Sequence, residues 1–394
     1  MPMLPRVAFQ HCQIILPDAV LTDGAVVTNG RGIEHVSPRW DQIPAVDQIL
    51  DLGGRYLAPG LIDLHIHGSN GVDVLDATAD HLATLSRFLV KQGVTRYLPT
   101  TVPTDESSFV RVIEAVSHYR QRQPVNLAQV LGIHFEGPFV NPSRCGALRV
   151  EYIRDFSSAT SADVFLDHAL TTQIPIRMMT VAPEIQGGLA LIRTLADHGY
   201  VVSIGHSQAS FEVCEAASAA GARHVTHFPN ALAPLHHRQP GVFGWALLNQ
   251  NVTLDVIADG HHVDWRVIEL INRLKGSNQM ALISDAIAPA GLGDGVYQVW
   301  GETIEVTNGR TRNASGTIAG SVISLWDAVC NLWRRGYRLS DLFKMASLSP
   351  ARVVGIDGLC GSIEKGKRAD LICFDEAGAI HFVMVNGQMA YQAT

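Results

Sequence analysis

The chain's apolar positions fall into two regimes. Near both ends, short apolar runs are broken by Pro, Asp and Gly: His11–Leu16, Gly24–Asn29 and Gln48–Leu52, and later Ala369–Phe374, Ile380–Val385 and Gln388–Tyr391. Runs of this length between turn residues predict strands. The pair Asn386-Gly387 is the strongest short hairpin signal, because both residues accept the positive φ of a type I′ turn. Segments 1–56 and 358–394 are therefore expected to pair into one small β-sandwich domain.

Between them the pattern alternates. Eight apolar runs predict strands: Leu57–His67, Val94–Thr101, Val130–Phe135, Ile176–Val181, Val201–Gly205, His224–His227, Val252–Ala258 and Met280–Ser284. Helical periodicity marks Ala79–Gln92, Glu106–Gln121, Ile185–His198, Phe211–Ala220 and Val263–Lys275, with two more helices near Ser321–Arg335 and Leu339–Ser347. Strands alternating with helices imply a parallel sheet with right-handed crossovers. Eight such units over residues 57–357 imply closure into an α/β (β/α)8 TIM-like barrel, a fold of roughly 250 residues. Asn141–Ala159 is expected to be a loop insertion after the third strand.

Composition narrows the classes. With 30 basic and 37 acidic residues the formal net charge is −7, so no global basic field exists to hold nucleic acid. No apolar run reaches the roughly 20 residues of a membrane span. Met1–Gln10 lacks the basic start and apolar core of a secretory signal. The six cysteines form no CxxC pair, as expected of reduced thiols in a cytoplasmic protein.

The chemistry gathers at strand ends. His65 and His67 close the first predicted strand, two apart and so on one face. Alone the pair says little: 17 histidines in 394 residues give roughly 0.7 such pairs by chance, and periodicity cannot separate ligands from bystanders. Glu136, His206, His227 and Asp285 close the third, fifth, sixth and eighth strands in the same way. That is the barrel face where sites are built. Burying so many ionisable groups together without a counter-ion is costly, and a divalent cation relieves the cost. Six ligands suit two ions, His65, His67 and Asp285 on one, His206 and His227 on the other, with Glu136 between. Water on such a site ionises near neutral pH, and Asp285 is placed to shuttle its proton. Imidazole and carboxylate donors point to zinc or iron, with manganese or cobalt as alternatives.

The runs APGLIDLHIHG, HFEGPF, GHS, THFPNAL, IADGHHVD, SDAIAPAG and SGTIAGS, with the ending GSIEKGKRADL, resemble the N-acetylglucosamine-6-phosphate deacetylases of the amidohydrolase superfamily. The resemblance spans nearly the whole chain. It implies hydrolysis of the N-acetyl group of an amino-sugar 6-phosphate. Glu136, His206 and His227 match core metal ligands, His65 and His67 a second-metal pair that only some members carry, and Asp285 the catalytic aspartate. Asn230 and Ala231 match substrate contacts, and Arg238 and His262 the phosphate-binding pair. A homodimer is implied, with the Arg238 loop completing a neighbour's site.

The sequence departs from the family at one position. In Arg144-Cys145-Gly146-Ala147-Leu148-Arg149, Leu148 stands where the family usually has a histidine that contacts the substrate near its acyl carbonyl. Leucine offers no hydrogen bond, so another N-acyl amino sugar or another amide is the alternative substrate. Whether Arg149, His236 or His237 contacts substrate is open at this stage. Cys145 and the remaining histidines are expected to be bystanders, save His261, which adjoins His262 and could be either. A barrel kept only for assembly is the non-enzymatic alternative, against which stand six chemically intact positions.

Overall fold

The computed structural model describes residues 5–157, 162 and 164–393. Its centre is a barrel of eight parallel strands: Leu61–Ile66, Val94–Thr101, Gly132–Glu136, Ile176–Val181, Val201–Ile204, Ala222–Val225, Thr253–Ile257 and Met280–Ile283. Each pairs in parallel with its neighbour in sequence order. Strand eight returns to strand one through Asp285 N–H to His65 O (2.9 Å) and His67 N–H to Ala286 O (2.8 Å). Three prospective site residues, His65, His67 and Asp285, thus form the seam of the barrel.

The outer helices follow their sequence signals. The helix Glu106–Arg122 is capped by Asp105, whose carboxylate accepts from Ser108 N–H, and it buries Phe109, Val112, Ile113 and Val116. That spacing is one helical face. The helix Trp265–Lys275 is capped by Asp264 and buries Ile268 and Ile271. Gly241–Leu248 was not anticipated as a helix. It is buried nearly all round, so it has no polar face to reveal a period. A three-stranded antiparallel insertion, Gly295–Val299, Glu302–Thr307 and Arg310–Arg312, also follows strand eight unannounced.

The run expected as one strand over Leu57–His67 is two. Tyr56–Pro59 pairs with Leu371–Phe374 in the terminal sheet, and Leu61–Ile66 enters the barrel. Gly60 is the joint. A Cβ there would lie 2.2 Å from the Thr95 side chain, so only glycine lets the chain cross so close to strand two. The terminal segments build one mixed eight-stranded sheet whose central strands are buried on both faces. Leu371, Cys373, Phe382 and Met384 face a core of their own, while Ile372, Phe374, Val383 and Val385 pack on the barrel. Alternate residues on opposite faces are what a strand imposes. The Asn386-Gly387 turn has φ of 50° and 74°, as that hairpin requires. Of the loop expected over Asn141–Ala159, Asn141 to Ser157 carries only two short 3-10 turns, and the last two residues lie outside the described set.

Sheet and barrel are joined by a buried ion pair. Arg96, on strand two, donates through Nε to Asp370 (2.8 Å) and through Nη2 to Asn386 (3.0 Å). Asn386 N–H in turn donates to Asp370 (2.7 Å). Removing one partner of such a pair strands the other charge in a poorly solvated place. Arg96→Leu is accordingly expected to destabilise the protein by about 3–5 kcal/mol, read as a lower midpoint in urea unfolding. A loss under about 1 kcal/mol, the value of an exposed pair, would show that Asp370 is resolvated without its arginine.

Candidate metal centre

The C-terminal mouth of the barrel gathers the six residues singled out from the sequence. His65 is the last residue but one of strand one and His67 follows the strand. Glu136 ends strand three, and His206, His227 and Asp285 stand two residues beyond strands five, six and eight. All six are buried. They form two sets, His65, His67 and Asp285, and Glu136, His206 and His227. Within each set, one donor atom per residue lies inside a 4.8 Å cluster.

In the first set, His65 Nε2 and His67 Nε2 are 3.1 Å apart. Asp285 Oδ1 lies 3.4 Å from the former and 3.2 Å from the latter. In the second, Glu136 Oε1 lies 3.1 Å from His206 Nε2 and 2.8 Å from His227 Nε2. Glu136 also approaches the first set, with Oε1 3.5 Å from His65 Nε2 and Oε2 3.3 Å from His67 Nε2. It stands between the two.

The far side of each ring decides what the near side presents. His67 Nδ1 faces Thr100 O at 3.1 Å, and His206 Nδ1 faces Arg144 O at 2.9 Å. A carbonyl oxygen can only accept, so each Nδ1 carries a proton, and it is Nε2 that faces the cluster, the atom that offers a lone pair to a metal ion. His65 Nδ1 pairs with Thr226 Oγ1 at 3.1 Å. Such outer partners orient metal-binding imidazoles. Two Nε2 lone pairs about 3 Å apart repel unless a cation lies between them. Tetrahedral ligands at about 2.05 Å from an ion sit roughly 3.3 Å from each other, close to the separations found here. The residues present fit a divalent cation in each set.

The field points the same way. Burial opposes the charge on Glu136, yet the surrounding imidazoles, His65 foremost, hold its pKa well below the usual range. Burial also opposes protonation of His67 and His227. For His67 the Asp285 and Glu136 carboxylates win and push the pKa up to about 10. For His227, Glu136 raises it to about 9. For His65, burial and the neighbouring imidazoles outweigh the pull of Glu136, and its pKa is driven well below the ordinary value. In short, the two carboxylates demand positive charge, and without a metal ion they take it as protons on His67 and His227.

The backbone is bent to make this arrangement. His206, His227 and Asp285 have φ of 46°, 32° and 49°. For residues other than glycine, such values cost of order 1–3 kcal/mol each. The neighbourhood holds each of them. Asn141 N–H bonds His206 O (3.0 Å), and Ser321 N–H bonds Asp285 O (2.7 Å). Asp255 accepts from His227 N–H and fixes the buried His224, whose Nε2 is 2.9 Å from its other oxygen. Gly320, with φ of 56°, passes so close that a Cβ would lie 3.0 Å from Asp285 O. Glu184 ties the loops after strands three and five through Asn141, Ser207 and Gln208. None of Asp255, His224 or Glu184 had been singled out from the sequence as a support.

The cluster opens into a cavity of about 280 Å³. Asn230, Ala231 and His262 line it, as expected, and so does Leu148. Arg238 does not. It is exposed beside His236 and His237, with Nη1 2.8 Å from His237 Nε2. Arg149 is also turned away, stacked 4.2 Å above the Tyr152 ring. Trp300, Thr317 and Ile318 complete the wall. Thr317 and Ile318 lie in the SGTIAGS run, to which no role had been attached, and Trp300 lies outside every motif picked out from the sequence.

A family model for the Amidohydrolase family matches residues 56–390. The chain belongs to the amidohydrolase family. It is 36% identical to an N-acetylgalactosamine-6-phosphate deacetylase of Escherichia coli O157:H7, over 88% of this chain and 91% of that one. It is 32% identical to an N-acetylglucosamine-6-phosphate deacetylase of Bacillus subtilis strain 168, over 99% and 98%. The crystal structure of the N-acetylglucosamine-6-phosphate deacetylase from Pasteurella multocida superposes with a TM-score of 0.91, at 30% identity, covering 98% of this chain and all of that one. The barrel and the terminal sheet are those of an amidohydrolase, a family whose members depend on metal.

The raised imidazoles give the metal-stripped protein a defined pH response. His67 and His227 bind protons more tightly folded than unfolded, so their contribution is complete below about 6.5, the free histidine value. It is lost as pH rises towards about 9 and 10. Chelator-treated protein should therefore become easier to unfold in urea from pH 6.5 to 10, and readded divalent metal should flatten that slope. Equal stability across this range without metal would mean that the two rings are already neutral at pH 6.5.

Proposed function

We propose that this protein hydrolyses the N-acetyl amide of N-acetylglucosamine 6-phosphate, giving acetate and glucosamine 6-phosphate. The observation that carries the reading is the pair of buried nitrogen-and-carboxylate sets sharing Glu136, open to a cavity of amino-sugar size. His65, His67 and Asp285 would hold one ion and Glu136, His206 and His227 a second, with Glu136 between. Zinc or iron suits these donors, and manganese or cobalt would also bind. A bound divalent cation would acidify water and polarise the amide carbonyl.

The chain's own groups do the rest. Asp285 stands at the cavity wall with its backbone pinned on both sides. It accepts a proton from the attacking water and passes it to the departing amine nitrogen as the C–N bond breaks. One water is consumed, its oxygen ends in acetate, and both its hydrogens are accounted for in the products. Asn230 and the Ala231 backbone hold the sugar. His262 is oriented by Asp259, which accepts from its Nδ1 at 2.7 Å, so Nε2 is left for the phosphate.

A phosphate dianion needs more than one imidazole, and within one chain the cavity offers no arginine among its lining residues. The exposed loop bearing Arg238 also exposes Leu235, an apolar side chain suited to burial against another protein surface. A homodimer in which that loop enters the partner's site supplies the guanidinium, whose fork matches phosphate oxygens. A cytoplasmic setting suits an enzyme with six unpaired cysteines. A second reading follows from the E. coli relative: the C4 epimer, N-acetylgalactosamine 6-phosphate, as substrate.

The first test is a panel of N-acetylglucosamine 6-phosphate, N-acetylgalactosamine 6-phosphate and the unphosphorylated sugars on metal-replete protein. Amide hydrolysis confined to the phosphorylated sugars supports the reading, and the ratio between epimers selects the sugar. Asp285→Asn should lower kcat by roughly 10²–10⁴-fold; near-normal turnover would remove it from proton transfer. Replacing His65 and His67 together by alanine should lower bound metal by about one ion per chain, measured by elemental analysis. An unchanged ratio would refute the two-ion arrangement. Arg238→Ala should raise KM for the phosphorylated sugar with little change in kcat; an unchanged KM would remove Arg238 from phosphate binding.

A further inference from the structure

The mouth of the barrel is chemically two-sided. In a closed ring of eight strands, those four apart face each other across the axis, so the loops after strands six and seven stand opposite those after two and three. The six–seven side presents Asn230 and His262 to the cavity. The opposite side is an apolar cluster: Leu75 after strand one, Val102 after strand two, Val140 and Leu148 after strand three, and Ala182 after strand four, with Trp300 packed against it. Leu148 and Trp300 reach the cavity wall. The Trp300 ring stands edge-on to His67, with centroids 5.1 Å apart. Leu148 N–H is already spent on Cys145 O at 2.9 Å, so neither its backbone donor nor its side chain offers a ligand a hydrogen bond. What this wall offers is burial.

An amide carbonyl carbon has two arms. With the carbonyl at the metal cluster and the amino-sugar arm reaching the polar side, the acyl arm is left to point at Leu148 and Trp300. We propose that Leu148 and Trp300 form a subsite that selects substrates by the alkyl part of the N-acyl group, so that short-chain N-acyl amino-sugar phosphates beyond the acetyl compound are substrates. This rests on the amide hydrolysis set out above and names the group the site prefers. Both residues determine specificity. Neither touches the proton transfer.

The experiment compares kcat/KM for N-acetyl- and N-propionyl-glucosamine 6-phosphate on metal-replete protein. A methylene buried against leucine and tryptophan is worth about fourfold, so the propionyl-to-acetyl ratio is expected above one, towards four. Leu148→Asn and Trp300→Ala should each lower the ratio, and Leu148→Met should restore it, because methionine returns apolar contact without the leucine shape. Metal content and thermal unfolding check that each variant is loaded and folded. The wild-type ratio decides the matter even where a variant does not fold. A ratio at or below one, or one that Leu148→Asn leaves in place, overturns the subsite while leaving the hydrolase reading intact. Failure to hydrolyse either compound overturns both.

Discussion

Everything at the mouth of this barrel turns on one carboxylate. Glu136 is buried, lies within 3.5 Å of four imidazole nitrogens, and belongs by geometry to both ligand sets. A charge so placed is unfavourable unless its surroundings answer it. They answer in the same direction: ring nitrogens turned inward by carbonyl partners behind them, a second carboxylate across the seam, and backbone held at positive φ in three places. Each of these is unfavourable by itself. They persist together because a cation satisfies all of them at once, and the rest of the fold is arranged to hold the group in register.

That dependence explains which parts were legible in the sequence. The strands carry near-continuous apolar runs, so each ends visibly where an ionisable residue follows, and the ends of parallel barrel strands meet at one face by topology alone. The six candidate ligands could therefore be picked out individually and assembled by the fold. Their supports could not. Asp255 reaches His227 across a neighbouring strand, and Thr100 and Arg144 act through backbone carbonyls that any residue would supply. Such partners follow from register between distant segments, and a single chain's periodicity does not encode register.

The misread elements have equally physical causes. Leu57–His67 reads as one strand-like run across its Pro59-Gly60 step, and the need for glycine at the break follows from closeness to Thr95, a tertiary fact. Helix Gly241–Leu248 is buried nearly all round and so shows no period. The antiparallel insertion after strand eight lies in a stretch rich in glycine and polar residues, where turn signals outnumber apolar ones. It nevertheless brings Trp300 to the cavity, so one wall of the pocket had no trace in the strand-end logic that located the metal ligands.

Reaction class and substrate are thus encoded in different places. The chemistry resides at strand ends, where the barrel fixes each Cα and a change of residue type is immediately visible. Selection resides in the loops after strands one to four and six to eight, whose side chains meet only because of how those loops fold back. Leu148 shows the consequence. As a letter in the sequence it is a missing histidine. In the structure it is one member of an apolar face that also includes Leu75, Val102, Val140 and Trp300, where a leucine gains contact without bringing a polar group that needs a partner. The substitution is consistent with its surroundings, and that consistency is why it reads as a changed preference rather than as a damaged site.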